Sequence, residues 1–151
     1  VRDRDVRNAI KAALDATNMF DPTGVQIFGL PEYQGLGASV IAGAFIEPHT
    51  GSETSWADAT EGIGLYVDGQ VRITLAYRGE DPQLRDEAAE LLLVTVCNAL
   101  NGEDLGDMII PDLARVHNWE WLEPTPPERR IRLFFRYRYL QTGWDSFDDT
   151  P

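Results

Sequence analysis

Arg130–Leu140 reads RIRLFFRYRYL, and the way its residue types alternate decides the fold. Ile131, Leu133, Phe135, Tyr137 and Tyr139 fall on every second position. Arg130, Arg132, Arg136 and Arg138 take the others, with Phe134 interrupting the cationic row. Successive side chains on a strand point to opposite faces, so the spacing predicts one long, half-buried strand. Aromatic residues dominate the inner face and suit a pleated, buried surface. The outer face carries four of the chain's 13 basic residues. An arginine-studded strand needs something acidic beside it.

Working back from this strand, Glu123–Glu128 (EPTPPE) is a stiff connection that cannot continue a strand. Before it, Val116–Leu122 alternates again, with His117, Trp119 and Trp121 on one face. The two strands are expected to pair as antiparallel neighbours. Asp81-Pro82 opens the clearest helix, with Asp81 as N-cap and Pro82 at the first helical position, where its missing N–H costs nothing. Leu84, Ala88, Leu91, Leu92, Thr95 and Ala99 are read as its buried face, and Asn101-Gly102 as its stop. Leu91–Val96 is apolar almost all round, so the helix is expected to show little surface to water on either flank.

The first segment, Arg4–Asn18, places Val6, Ile10, Ala13 and Leu14 at helical spacing. Asp21–Gly24 reads as a turn, Val25–Leu30 as a short strand, and 31–37 as a glycine-rich loop. Ala38–Glu47 reads as a strand with a bulge at Gly43. Pro48–Gly62 is polar apart from Trp56 and reads as a mobile loop whose order depends on a partner. Ile63–Arg78 is strand-like, either as a hairpin turning at Asp68-Gly69 or as a single long strand with a bulge at Gly69. The island Met108–Ile110 interrupts an otherwise polar loop. The expected fold class is α+β: a mainly antiparallel sheet with two helices packed on one face, an α/β sandwich. It forms one domain over 1–151, and 141–151 is an extended acidic tail carrying Trp144 and Phe147.

The charge narrows the function. With 25 acidic residues against 13 basic ones, the net charge of −12 repels phosphate and anionic lipid headgroups. Tight general binding to nucleic acid is not expected, although a channel that lets DNA slide without sticking could use this sign of charge. The single Cys97 excludes an intrachain disulfide and reads as a buried, inert thiol. No apolar run is long enough to span a bilayer and the first residues are charged, so the chain reads as soluble, made in a reducing cytoplasm.

Catalytic machinery is not legible. His49 and His117 lie far apart and outside any metal-ligand spacing, and Gly35-Leu36-Gly37 and Gly62-Ile63-Gly64 lack the third glycine of a dinucleotide fingerprint. The acids of Asn101–Asp107 fail the register of a calcium loop, because Leu105 stands where an oxygen ligand is required. No catalytic, metal or cofactor-binding residue is assigned, and the chain is not expected to be an enzyme. The candidate site is instead a subunit interface. Arg132, Arg136 and Arg138 would face a neighbour's carboxylates, and Trp56 would order its loop against a partner. The competing reading leaves the arginines solvated or paired within the subunit.

The order of elements resembles the tail terminator (tail completion) proteins of long-tailed bacteriophages, the lambda gpU-like group. A short N-terminal helix precedes strands broken by a long polar loop. A helix opened by Glu80-Asp81-Pro82, an aromatic strand and the arginine strand then follow. The long segment Asp21–Gly37 and the aromatic acidic tail depart from that pattern. The resemblance implies a homo-oligomeric ring, usually a hexamer, that caps the tail tube, joins it to the head–tail connector, and leaves a lumen for DNA. Partners would be the chain itself, the tail tube protein and the connector. Location would be the virion tail or neck, assembled in host cytoplasm, with no membrane and no cofactor. Alternatives are another neck or head-completion protein, or a small-ligand binding or hydrolytic domain with a pocket near Trp119 and Trp121.

Overall fold

The structure is a computed structural model, described here for residues 3–27, 36, 39–47, 53–57 and 64–142. It confirms the α+β class. Two α-helices, α1 (Asp3–Ala16) and α2 (Pro82–Leu100), accompany one sheet built from β1 (Val25–Ile27), β2 (Ala42–Glu47), β3 (Glu53–Ala57), β4 (Gly64–Arg78), β5 (Arg115–Trp121) and β6 (Glu128–Thr142). The strand order is β1-β2-β4-β6-β5, with β3 also paired to β4. Among the described residues only the β1–β2 pair is parallel; the others are antiparallel.

The arginine stretch forms β6, an interior strand between β4 and the edge strand β5. Gly64–Arg78 pairs with it in unbroken register, Val71 opposite Phe135 and Ile73 opposite Leu133. Ile131, Leu133, Phe135, Tyr137 and Tyr139 are all buried, as the alternation requires. Their rings stack along the strand, Phe135 on Tyr137 at 6.1 Å and Tyr137 on Tyr139 at 6.2 Å between centroids. β6 takes in Gln141 and Thr142, which the sequence reading gave to the tail; 143–151 lie outside the described residues.

Both helices contribute to the core on this buried side. Val6, Ile10 and Leu14 of α1, at i, i+4 and i+8, share one apolar cluster with Leu92, Val96 and Leu100 of α2 and with Ile73, Leu133 and Phe135 of the sheet. Asp81 caps α2 as expected, accepting from the Gln83 and Leu84 N–H groups at 2.9 and 3.2 Å. Such a cap contributes about 1 kcal/mol. The buried stripe of α2 is different from the expected one. Arg85, Ala89, Leu92, Val96 and Leu100 face the sheet, while Leu84 and Leu91 are 63% and 53% exposed. A helix that is apolar nearly all round gives periodicity no stripe to select. What turns it is a contact outside its own sequence: Arg85 lays its stem inward and donates to the Gly79 carbonyl at 3.3 Å.

Four further expectations are corrected. Asp68-Gly69 is neither a hairpin turn nor a bulge, because β4 runs through it with Gly69 opposite Tyr137 in register. The glycine is there for space: a Cβ at Gly69 would lie 2.4 Å from the Tyr137 ring. Gly43 likewise sits in a regular ladder opposite Ala76, and a Cβ there would meet Leu36 Cδ2 at 2.8 Å. The 48–62 segment is not wholly loop, since Glu53–Ala57 forms β3 and ladders onto Gly64–Asp68, leaving the remainder outside the described residues. Cys97 is half-buried rather than buried, and burial pushes its thiol pKa up.

Candidate subunit interface

Because both helices lie on the Phe135 side, the arginines of β6 share the opposite face of the sheet. At one end this face has its own small apolar cover, where Leu36 and Val40 meet Phe45 and Ala76. Next to that cover, Glu47 is buried and paired with Arg72. Glu47 Oε1 and Thr74 Oγ1 are buried without a hydrogen-bond partner among the described residues. Beyond Arg72 the face opens. There, cross-strand partners set Asp68 beside Arg138 and Gln70 beside Arg136, while on the covered side of Arg72, Glu120 stands beside Arg132.

This register settles how each predicted arginine is engaged within the chain. Arg138 forks onto Asp68 through Nε and Nη2 at 2.5 and 2.8 Å, with its guanidinium 5.2 Å from the Tyr66 ring. The Arg138 hydrogen bonds hold the Asp68 carboxyl below the usual carboxylate range. Arg132 lies 3.5 Å from Glu120. Arg136 differs: it is exposed, it donates to the Gln70 amide oxygen at 3.5 Å, and it has no ion pair with a carboxylate among the described residues. Its other cross-strand neighbour is Arg115, another exposed cation, which donates to the Asp112 carbonyl at 3.0 Å. Trp56 is not brought to this row. It pairs with Leu65 in β3, on the other side of β4 from β6.

His117 sits at the register shift between Val116 and Asn118, where its ring meets Phe134 at 6.1 Å. Loss of water beside that ring, followed by repulsion from Arg136, pushes its pKa below the ordinary histidine value, and a hydrogen bond to the Phe134 backbone opposes the shift. The sequence reading missed Arg115 and Phe134 as members of this patch. Phe134 carried a signal, as the one apolar residue in the cationic row. Arg115 carried none, because its place opposite Arg136 depends on strand register.

Among the described residues, no group of three or more His, Cys, Asp or Glu could hold a metal ion. None of the described helices is long and apolar enough to cross a membrane. Trp119 and Trp121 are 52% and 37% exposed on the edge strand β5, and Trp121 is covered on one face by Arg129, 4.2 Å from its ring centroid. The described residues thus present an open, partly cationic sheet face.

No family model matches the chain, and no curated protein does. Among solved structures, a chain from the virion of a native gene transfer agent particle is similar. It shares 19% identity over 88% of this chain and 96% of that one, with a TM-score of 0.42. A likeness that loose carries no role across.

Proposed function

We propose that this protein is a structural virion component that self-assembles into a ring, ends the tail tube and joins it to the head–tail connector. The observation that carries the reading is the open sheet face. In a chain of net charge −12, Arg136 and Arg115 stand exposed with no carboxylate ion-paired to them among the described residues. Cations left over in so acidic a chain are suited to a neighbour's acids, and here the neighbour is another copy. Closure into a ring would cover that face without leaving a growing edge. The reading also rests on the resemblance of the element order to the tail terminator group. Carboxylates lining the lumen would repel phosphate, so DNA passes without being held. The protein's role is mechanical, with no substrate turned over.

Electron microscopy of assembled particles tests this. A ring of this protein at the head-proximal end of the tail tube, around a lumen of negative potential, is the expected result. A ring elsewhere in the neck would make it a different head-completion protein. A monomer absent from the particle, or tight binding to duplex DNA at physiological salt, would overturn the reading.

A further inference from the structure

The described residues leave two surfaces exposed, and each carries what the other lacks. The first is the outward flank of α2. Leu84, Leu91 and Val94 are 63%, 53% and 53% exposed, and their i, i+7, i+10 spacing sets them in one strip with exposed Glu87 between them and Glu90 alongside. The one cation of α2, Arg85, is turned inward and buried, so the strip is apolar and anionic. The second surface is the open sheet face, where Arg115 and Arg136 flank half-buried Phe134 and Leu140 is 43% exposed. That surface is apolar and cationic. α2 and the arginine row belong to opposite sides of the sheet.

We infer that in the assembly the α2 flank of one copy docks on the Arg115–Arg136 patch of the next. The inference rests on the ring reading above and names its contact. Flank against flank would oppose Glu87 and Glu90 to like charges, and patch against patch would oppose arginine to arginine. Unlike pairing alone sets acid on base while covering apolar surface on both sides. Because the two surfaces face opposite ways, the contact is head to tail, and every copy offers both halves. That is the kind of interface that generates rings when its rotation closes.

Two full-length charge reversals test it, Arg115→Glu with Arg136→Glu, and Glu87→Arg with Glu90→Arg. All four side chains are exposed, and thermal melts of each variant check that the subunit stays folded. By sedimentation velocity, each variant alone should self-associate more weakly than the parent by roughly 100-fold or more, the scale expected of like charges opposed at a contact. An equal mixture of the two should regain the parent's mass, because the basic flank of one meets the acidic patch of the other and the reverse pair is also matched. The milder pair Arg136→Gln and Glu87→Gln should weaken assembly in the same direction. Parent-like assembly of either reversed variant overturns this contact and leaves the ring intact, as does a mixture that remains dissociated. A two-fold dimer insensitive to Arg136 also overturns it. A parent chain that is monomeric at every concentration overturns the ring reading together with this one.

Discussion

Arg136 is the residue on β6 whose charge has the least answered demand, and its effect is already visible on a neighbour. His117 has its pKa held below the ordinary histidine value of 6.5 by lost hydration and by repulsion from Arg136. Replacing Arg136 with Glu removes the repulsion and supplies an attraction, so the His117 pKa should rise. The consequence for stability has a definite sign. A group with a depressed folded pKa contributes stability that is fully present above its unfolded pKa and is lost as pH falls through the folded value. In the parent, stability should therefore decline as pH falls below 6.5, and in Arg136→Glu that decline should flatten. An NMR titration of the imidazole checks it directly. An unchanged His117 pKa would mean that lost hydration alone sets the downward shift. At this scale the sequence was informative where a residue broke a pattern, as Phe134 did. It was silent about Arg115 and Asp68, whose meaning comes from the strand partner opposite them.

At the scale of elements, the strands with strict alternation were legible and the elements with uniform composition were not. β6 could be read because its two faces differ in chemistry, and burial follows that difference residue by residue. Phe135→Ala should cost about 3–5 kcal/mol, since the ring is fully buried among Val71, Tyr137 and the rest of the core. A thermal melt matching the parent would contradict the packing. α2 was placed correctly in the chain but rotated wrongly about its axis. Its apolar residues almost encircle it, so the sheet and Arg85 determine which stripe is buried. β3 was missed because Glu53, Thr54 and Ser55 carry no apolar alternation. What makes that segment a strand is the free edge of β4 beyond the end of β2. Gly69 misled for a related reason: Asp68-Gly69 has turn chemistry, yet the glycine serves the Tyr137 ring across the ladder and Asp68 serves Arg138.

For the whole molecule, the decisive quantity is the net charge of −12, which any self-assembly must bring together in multiples. Two electrostatic effects with different ranges then compete. Repulsion between whole subunits acts over the Debye length, about 30 Å at 0.01 M salt and about 10 Å at 0.1 M. Contact between acid and arginine acts over a few ångströms and is screened appreciably only near 1 M, where the Debye length falls to about 3 Å. Raising salt from roughly 0.01 M to roughly 0.15 M should therefore strengthen self-association, because the long-range repulsion is lost first. Raising it further toward about 1 M should weaken association again as the ion pairs are screened, leaving the apolar part of the contact. Sedimentation velocity across that range should show a maximum at intermediate salt. A steady fall from the lowest salt upward would mean that the contact pairs outweigh the net charge at every range. Indifference to salt throughout would mean that the assembled contact uses neither the acids of α2 nor the arginines of β6.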